Sequence, residues 1–131
     1  MLKIYHNPRC SKSRQALQYL QENNYQYELI EYLKTPLKVA EIEHIISLLK
    51  VDIKQILRVE DPLYKNSNLA NLGQAELIEQ IILQPALLQR PIIISANAAC
   101  IARPLDNLIN MLTKKIQISE KNSVHSLIFS V

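Results

Sequence analysis

The first thirty-two residues leave little freedom of fold. Residues 2–6 form a short apolar run halted by Asn7-Pro8, the punctuation of a strand entering a turn. From Ser11 to Asn23 the apolar residues Ala16, Leu17 and Leu20 recur at helical spacing, and Asn23-Asn24 supplies a stop. Residues 25–32 are rich in Tyr, Leu and Ile and contain no breaker, so a second strand follows. Two strands joined by a helix pair in parallel as a βαβ unit. Cys10 then falls at the junction of strand one and helix one.

Thr35-Pro36 opens a different region. From Pro36 to Gln89 the pattern is helical: Val39, Ile42, Ile45, Ile46 and Leu49 make one stripe, Ile53, Ile56 and Leu57 another, and Leu77, Ile78, Ile81 and Ile82 a third. Asp52 can cap the second helix, and Asn66 to Gly73 is polar enough to be a loop. Strands return with Pro91 to Ser95 and, across a turn at Ala96-Asn97-Ala98, with Cys100 to Ala102. Pro104 suits the first turn of a last helix whose stripe is Leu105, Leu108, Ile109 and Leu112. This order predicts an α/β protein with a four-stranded mixed sheet, βαβ plus ββα, and a helical insertion at about residues 37–89. It is the order of a thioredoxin-like fold. Residues 1–112 are expected to form that domain and residues 113–131 a disordered or loosely docked tail.

Composition narrows the chemistry. A chain of 131 residues, 48% hydrophobic, makes one compact domain, and it contains no run near the roughly 18–20 apolar residues of a membrane span. The amino terminus lacks the apolar core of a secretory signal, so a cytoplasmic location is expected. A net charge of +3 is too small to argue for nucleic acid. Two cysteines and three scattered histidines give neither a disulfide framework nor structural-zinc spacing, so no metal is expected. A single glycine excludes a glycine-rich phosphate loop and a dinucleotide fingerprint.

What remains is Cys10. The unpaired N–H groups and dipole of a helix start favour negative charge, and thiols there ionise more readily than free ones. Arg9, Lys12 and Arg14 flank the sulfur, and His6 ends the strand leading to it, which points to a nucleophile. The same helix start can hold a tetrahedral oxyanion. Ser13 stands where a dithiol oxidoreductase has its second cysteine, so it could hydrogen-bond the thiolate or cap the helix, but redox chemistry here would be monothiol. Cys100 reads as a core residue on a strand face opposite Arg103.

The segment His6-Asn7-Pro8-Arg9-Cys10-Ser11-Lys12-Ser13-Arg14 resembles the active-site segment of the glutaredoxin-coupled arsenate reductase family. Three further segments match in order: Leu57-Arg58 followed by Pro62-Leu63-Tyr64, then Gln89-Arg90-Pro91-Ile92-Ile93, then Ala102-Arg103-Pro104. The resemblance covers residues 1 to about 112 and implies that Cys10 attacks arsenate while Arg58, Arg90 and Arg103 hold the oxyanion; His6, Ser13 and Arg14 are the supporting residues expected from their places around the sulfur. It also implies glutathione as co-substrate, glutaredoxin as partner, no bound cofactor and, by analogy with the fold, a cis Arg90-Pro91 bond. Where the family often carries glycine in its hairpin this chain reads Ser95 to Cys100, and Asn97 could take the left-handed conformation there. Two other readings use the same site: another glutathione-linked thiol substrate, or a redox-sensing transcription regulator, although the latter expects a second cysteine at position 13.

Overall fold

The structure, a computed structural model, describes residues 1–113. The tail expected over 113–131 therefore lies, beyond its first residue, outside the described residues. The sheet contains β1 (Leu2–Tyr5), β2 (Tyr27–Ile30), β3 (Ile92–Ile94) and β4 (Ala99–Ile101) in the order β2-β1-β3-β4. β1 runs parallel to β2, with Leu2 opposite Tyr27, and antiparallel to β3, with Ile4 opposite Ile93; β3 in turn pairs antiparallel with β4, Ile93 opposite Cys100. Helix α1 (Ser11–Glu22) bridges the parallel pair. This is the predicted mixed sheet, with the second strand trimmed from 25–32 to four residues.

Between β2 and β3 lie α2 (Val39–Leu49), a 3-10 turn at Ile53–Ile56, the single-turn α3 (Pro62–Lys65), α4 (Gln74–Leu83) and a second 3-10 turn at Pro85–Leu87. A last helix, α5, occupies residues 106–113. The period of two along each strand divides the core into two layers. Leu2, Ile4, Ile93 and Cys100 pack with Ala16 and Leu20 of α1 and with Leu108 and Leu112 of α5. Tyr5, Ile92 and Ile94 face the other way, onto Ile42, Ile45, Ile56 and Ile81 of the insertion. All three residues of β3 are buried, which is why this strand reads as an unbroken isoleucine run.

The insertion departs from its predicted outline at several points. Ile42, Ile45 and Ile46 of the first stripe are buried, but Val39 sits exposed at the start of α2. The second stripe is not an α-helix. Asp52 Oδ1 does accept a hydrogen bond from Lys54 N at 2.9 Å, as expected of a cap, yet the segment closes after one 3-10 turn and Leu57 becomes extended. Leu57 then forms an antiparallel bridge with Leu88, where Arg58 N donates to Leu87 O at 2.8 Å and Gln89 N to Ile56 O at 2.7 Å. This two-rung clamp fixes Arg58 beside the chain that leads to Arg90. α3 has no sequence periodicity at all; it exists because Asp61 caps it through Leu63 N at 2.8 Å and Pro62 fits its first position.

Two turns also differ from expectation. Positive φ angles occur at Asn24, Lys50 and Asn68, and Asn97 is not among them. The β3–β4 hairpin is closed instead by Ser95, whose N donates to Ala98 O at 2.8 Å and whose Oγ accepts from Ala98 N at 3.1 Å. Pro104 lies ahead of α5 rather than in its first turn. The Arg90-Pro91 bond is cis, as the analogy implies, and so is Arg103-Pro104. Among the described residues no helix is long and apolar enough to cross a membrane.

Candidate active site

The loop after β1 is built to present one sulfur. Asn7 Oδ1 accepts from Arg9 N at 3.0 Å and Asn7 O from Cys10 N at 3.0 Å, closing a tight turn. Cys10 is the N-cap of α1, extended at φ −93 and ψ 123, and Arg14 N donates to its carbonyl at 3.0 Å in the first helical bond. The helix has no acidic residue in its first turn. Its positive end is therefore left to the Cys10 sulfur. Burial pushes the thiol up, but the backbone N–H groups of Ser13 and Lys12 and then the charge of Arg90 outweigh it and hold Cys10 below the ordinary thiol value.

Guanidinium groups arrive from the far end of the sequence. Arg103 Nη1 donates to Cys10 Sγ at 3.4 Å and to Arg90 O at 3.3 Å, so the last two of the three arginine segments meet at the thiol. Arg90 Nε is buried and has no hydrogen-bond partner among the described residues. A buried donor left unsatisfied is costly, and such a group is a place where a ligand oxygen fits. Beside it lies an open cavity of about 390 Å³ whose walls include Arg58, Asp61, Gln89, Arg90 and Arg103. Arg58 shares this cavity but is already engaged, with Nη2 2.8 Å from Asp61 Oδ2.

The supporting residues sit differently from the sequence expectation. His6, just past β1, is only 4% exposed, and Ser13 is fully buried. Ser13 Oγ lies 2.7 Å from His6 Nδ1 and accepts from Asn7 N at 3.0 Å. Its hydroxyl thus serves the imidazole and the turn, while its backbone amide serves the sulfur. Burial, with Arg14 assisting and Glu31 opposing, holds His6 below the ordinary imidazole value, so it adds no positive charge at neutral pH. Arg14 stands apart: Nη1 donates to Pro8 O at 3.0 Å, and the side chain lines an exposed depression with Ser11, Lys12, Gln15 and Gln18.

Tyr32 was not foreseen as part of this site. It is 1% exposed, and burial raises its phenol while the charges of Arg90, Cys10 and Arg58 and a hydrogen bond with Asn7 act on it. The available signal was topological. Parallel strands deliver their following residues to the same sheet edge, so residues just past β2 lie near those just past β1.

Cys100 behaves as core. Burial alone pushes its thiol up to about 12. Iodoacetamide at pH 6.5 is expected to modify Cys10 rapidly and leave Cys100 untouched until the protein opens; equal rates at the two would refute the assignment. The sign of the pH effect follows from linkage. A thiol whose folded value is raised contributes stability below its ordinary 9.0 and loses it as pH rises toward about 12. Urea unfolding between pH 9 and 11 should show a loss of up to about 1.4 kcal/mol per pH unit from this group, a slope that Cys100→Ala flattens.

The ArsC family profile matches residues 5–111. The arsenate reductase of Neisseria meningitidis serogroup A is 42% identical over 110 residues, which cover 82% of this chain and 94% of the relative. That of Haemophilus influenzae is 41% identical over 112 residues, 83% of this chain and 97% of the relative. The solved arsenate reductase from Vibrio cholerae superposes with a TM-score of 0.79 at 31% identity, covering 83% of this chain and 95% of that one. A strand-to-helix cysteine met by two arginines that precede cis prolines lies within this matched span, and the chain belongs to the ArsC family.

Proposed function

We propose that this protein reduces arsenate to arsenite, with glutathione as co-substrate and glutaredoxin as the partner that restores the thiol. The observation that carries the reading is the meeting of Arg103 with Cys10 Sγ at 3.4 Å beside the unpartnered Nε of Arg90. A thiolate and an arsenate dianion repel. At about 4 Å and an effective dielectric near 20, each unit-charge pair costs roughly 4 kcal/mol, and planar guanidinium groups that grip two oxygens offset it.

In the first step the Cys10 thiolate forms a sulfur–arsenic bond and one arsenate oxygen leaves as water after taking up protons. A glutathione thiolate then bonds to the Cys10 sulfur, the sulfur–arsenic pair passes to arsenic, and arsenite departs. Arsenic gains two electrons and the two sulfurs form a mixed disulfide. A glutaredoxin thiolate takes up the glutathione and frees Cys10. The reductant comes from outside because Ser13 occupies the position of a resolving thiol and Cys100 is sealed in the core at 8% exposure.

The test is NADPH oxidation on adding arsenate in the presence of glutathione, glutathione reductase and glutaredoxin, with Cys10→Ser as control. Arsenate-dependent turnover in the wild type and none in the variant is the expected result. No arsenate-dependent rate above background in the wild type would reject the proposal.

A further inference from the structure

Arg58, Arg90 and Arg103 line one cavity but are not equivalent in it. Asp61 occupies Arg58 through the 2.8 Å ion pair, while the carboxylate's other oxygen caps α3 at Leu63 N, 2.8 Å away, and its backbone N–H donates to Arg58 O at 3.0 Å. Two attachments hold the carboxylate and a third anchors its backbone. Both members of the pair are about a quarter exposed, with side-chain accessibilities of 27% and 26%, so the pair faces the cavity rather than the core. Glu60 is a second carboxylate on the same wall.

We infer that Asp61 is a positioning residue that sets oxyanion affinity: it occupies Arg58 in the free protein, so an incoming anion must displace a built-in carboxylate to engage the third arginine. This rests on the oxyanion reading above. Its physical consequence is a penalty with two parts, the broken Arg58–Asp61 pair and the repulsion between Asp61 and the ligand. A partly solvated pair costs little to exchange, which makes the device a moderate filter and not a block.

Asp61→Asn separates the two duties of this side chain. Asparagine caps a helix about as well as aspartate does, but it carries no charge and releases Arg58. Binding is read as protection of Cys10 from iodoacetamide by inorganic phosphate, and separately by arsenate. Asp61→Asn is expected to lower the anion concentration for half-protection roughly three- to tenfold, an energy of about 0.7–1.4 kcal/mol. Arg58→Ala added to it should abolish the gain. Asp61→Ser, which also caps, should reproduce it. A gain is the informative direction, because damage to the fold would weaken binding. Equal protection in wild type and Asp61→Asn, or a gain that survives Arg58→Ala, would overturn the inference while leaving the oxyanion reading intact. No protection by either anion in any of these proteins would overturn that reading, and this inference with it.

Discussion

Arg90→Leu is expected to lower arsenate turnover roughly 10²- to 10³-fold, the usual loss when one preorganised donor to a reacting oxyanion is removed, without lowering the melting temperature. The two halves of this expectation share one cause. Arg90 Nε is buried without a partner, so in the free protein it is a cost. Leucine fills similar volume and removes the orphaned donor, so stability should hold or rise, as when function is maintained at the expense of folding. The Arg90 charge also helps to hold the Cys10 thiol low. Its loss should shift the alkylation profile of Cys10 to higher pH, with slow modification at pH 6.5 recovering in alkaline solution. Arg90→Lys keeps a charge but not the planar fork, so it should restore more of the thiol's reactivity than of the turnover. A large fall in melting temperature, or a turnover within threefold of wild type, would show that Nε is not held in reserve for a ligand.

What the sequence disclosed and what it hid follow one division. Features carried by local periodicity or a single strong punctuation were legible: the βαβ opening, the Ile92–Ile94 strand buried on both faces, the Asp52 cap and the placement of Cys10 at a helix start. Features that depend on contacts between distant segments were not. Ile53, Ile56 and Leu57 have helical spacing, yet the bridge between Leu57 and Leu88 pulls the last of them into an extended conformation. α3 is a single turn, too short to show a period. The same distinction divides the site. Arg103 reaches Cys10 across 93 positions, and that approach came from family likeness, since no local pattern encodes it. The Arg58–Asp61 pair is different, because its i,i+3 spacing was open to inspection in the sequence. Its meaning became visible only when both side chains were found on the wall of the cavity beside Arg90 and Arg103.

Ser13→Ala should cost about 2–4 kcal/mol of folding stability, which for a domain of this size is a fall of roughly 10 °C in melting temperature. The methyl group is sterically innocent at a fully buried position; the loss is in partners. The Ser13 hydroxyl accepts from the Asn7 amide and shares a 2.7 Å hydrogen bond with His6 Nδ1, so one small side chain serves two partners. Alanine leaves Nδ1 unpaired in a buried place, at about 1–3 kcal/mol, and the Asn7 N–H unpaired in a half-buried one, at about 1 kcal/mol. The effect on pH dependence has a definite sign. A histidine held below its ordinary 6.5 contributes stability above that value and loses it as pH falls toward the folded value. Burial, with Arg14 assisting, sets this low value, and both persist in Ser13→Ala, so the acid loss should keep its slope while the whole stability curve moves down. Asn7 also carries the turn that places Cys10 N, so the variant should alkylate more slowly at low pH even where it is fully folded. Urea unfolding at pH 5.5 and 7.5, with the imidazole followed by NMR, measures each part. A loss below about 0.5 kcal/mol, within the range of an ordinary surface substitution, would mean that the hydroxyl merely fills space, and that the low reactivity threshold of the sulfur owes nothing to the buried pair behind it.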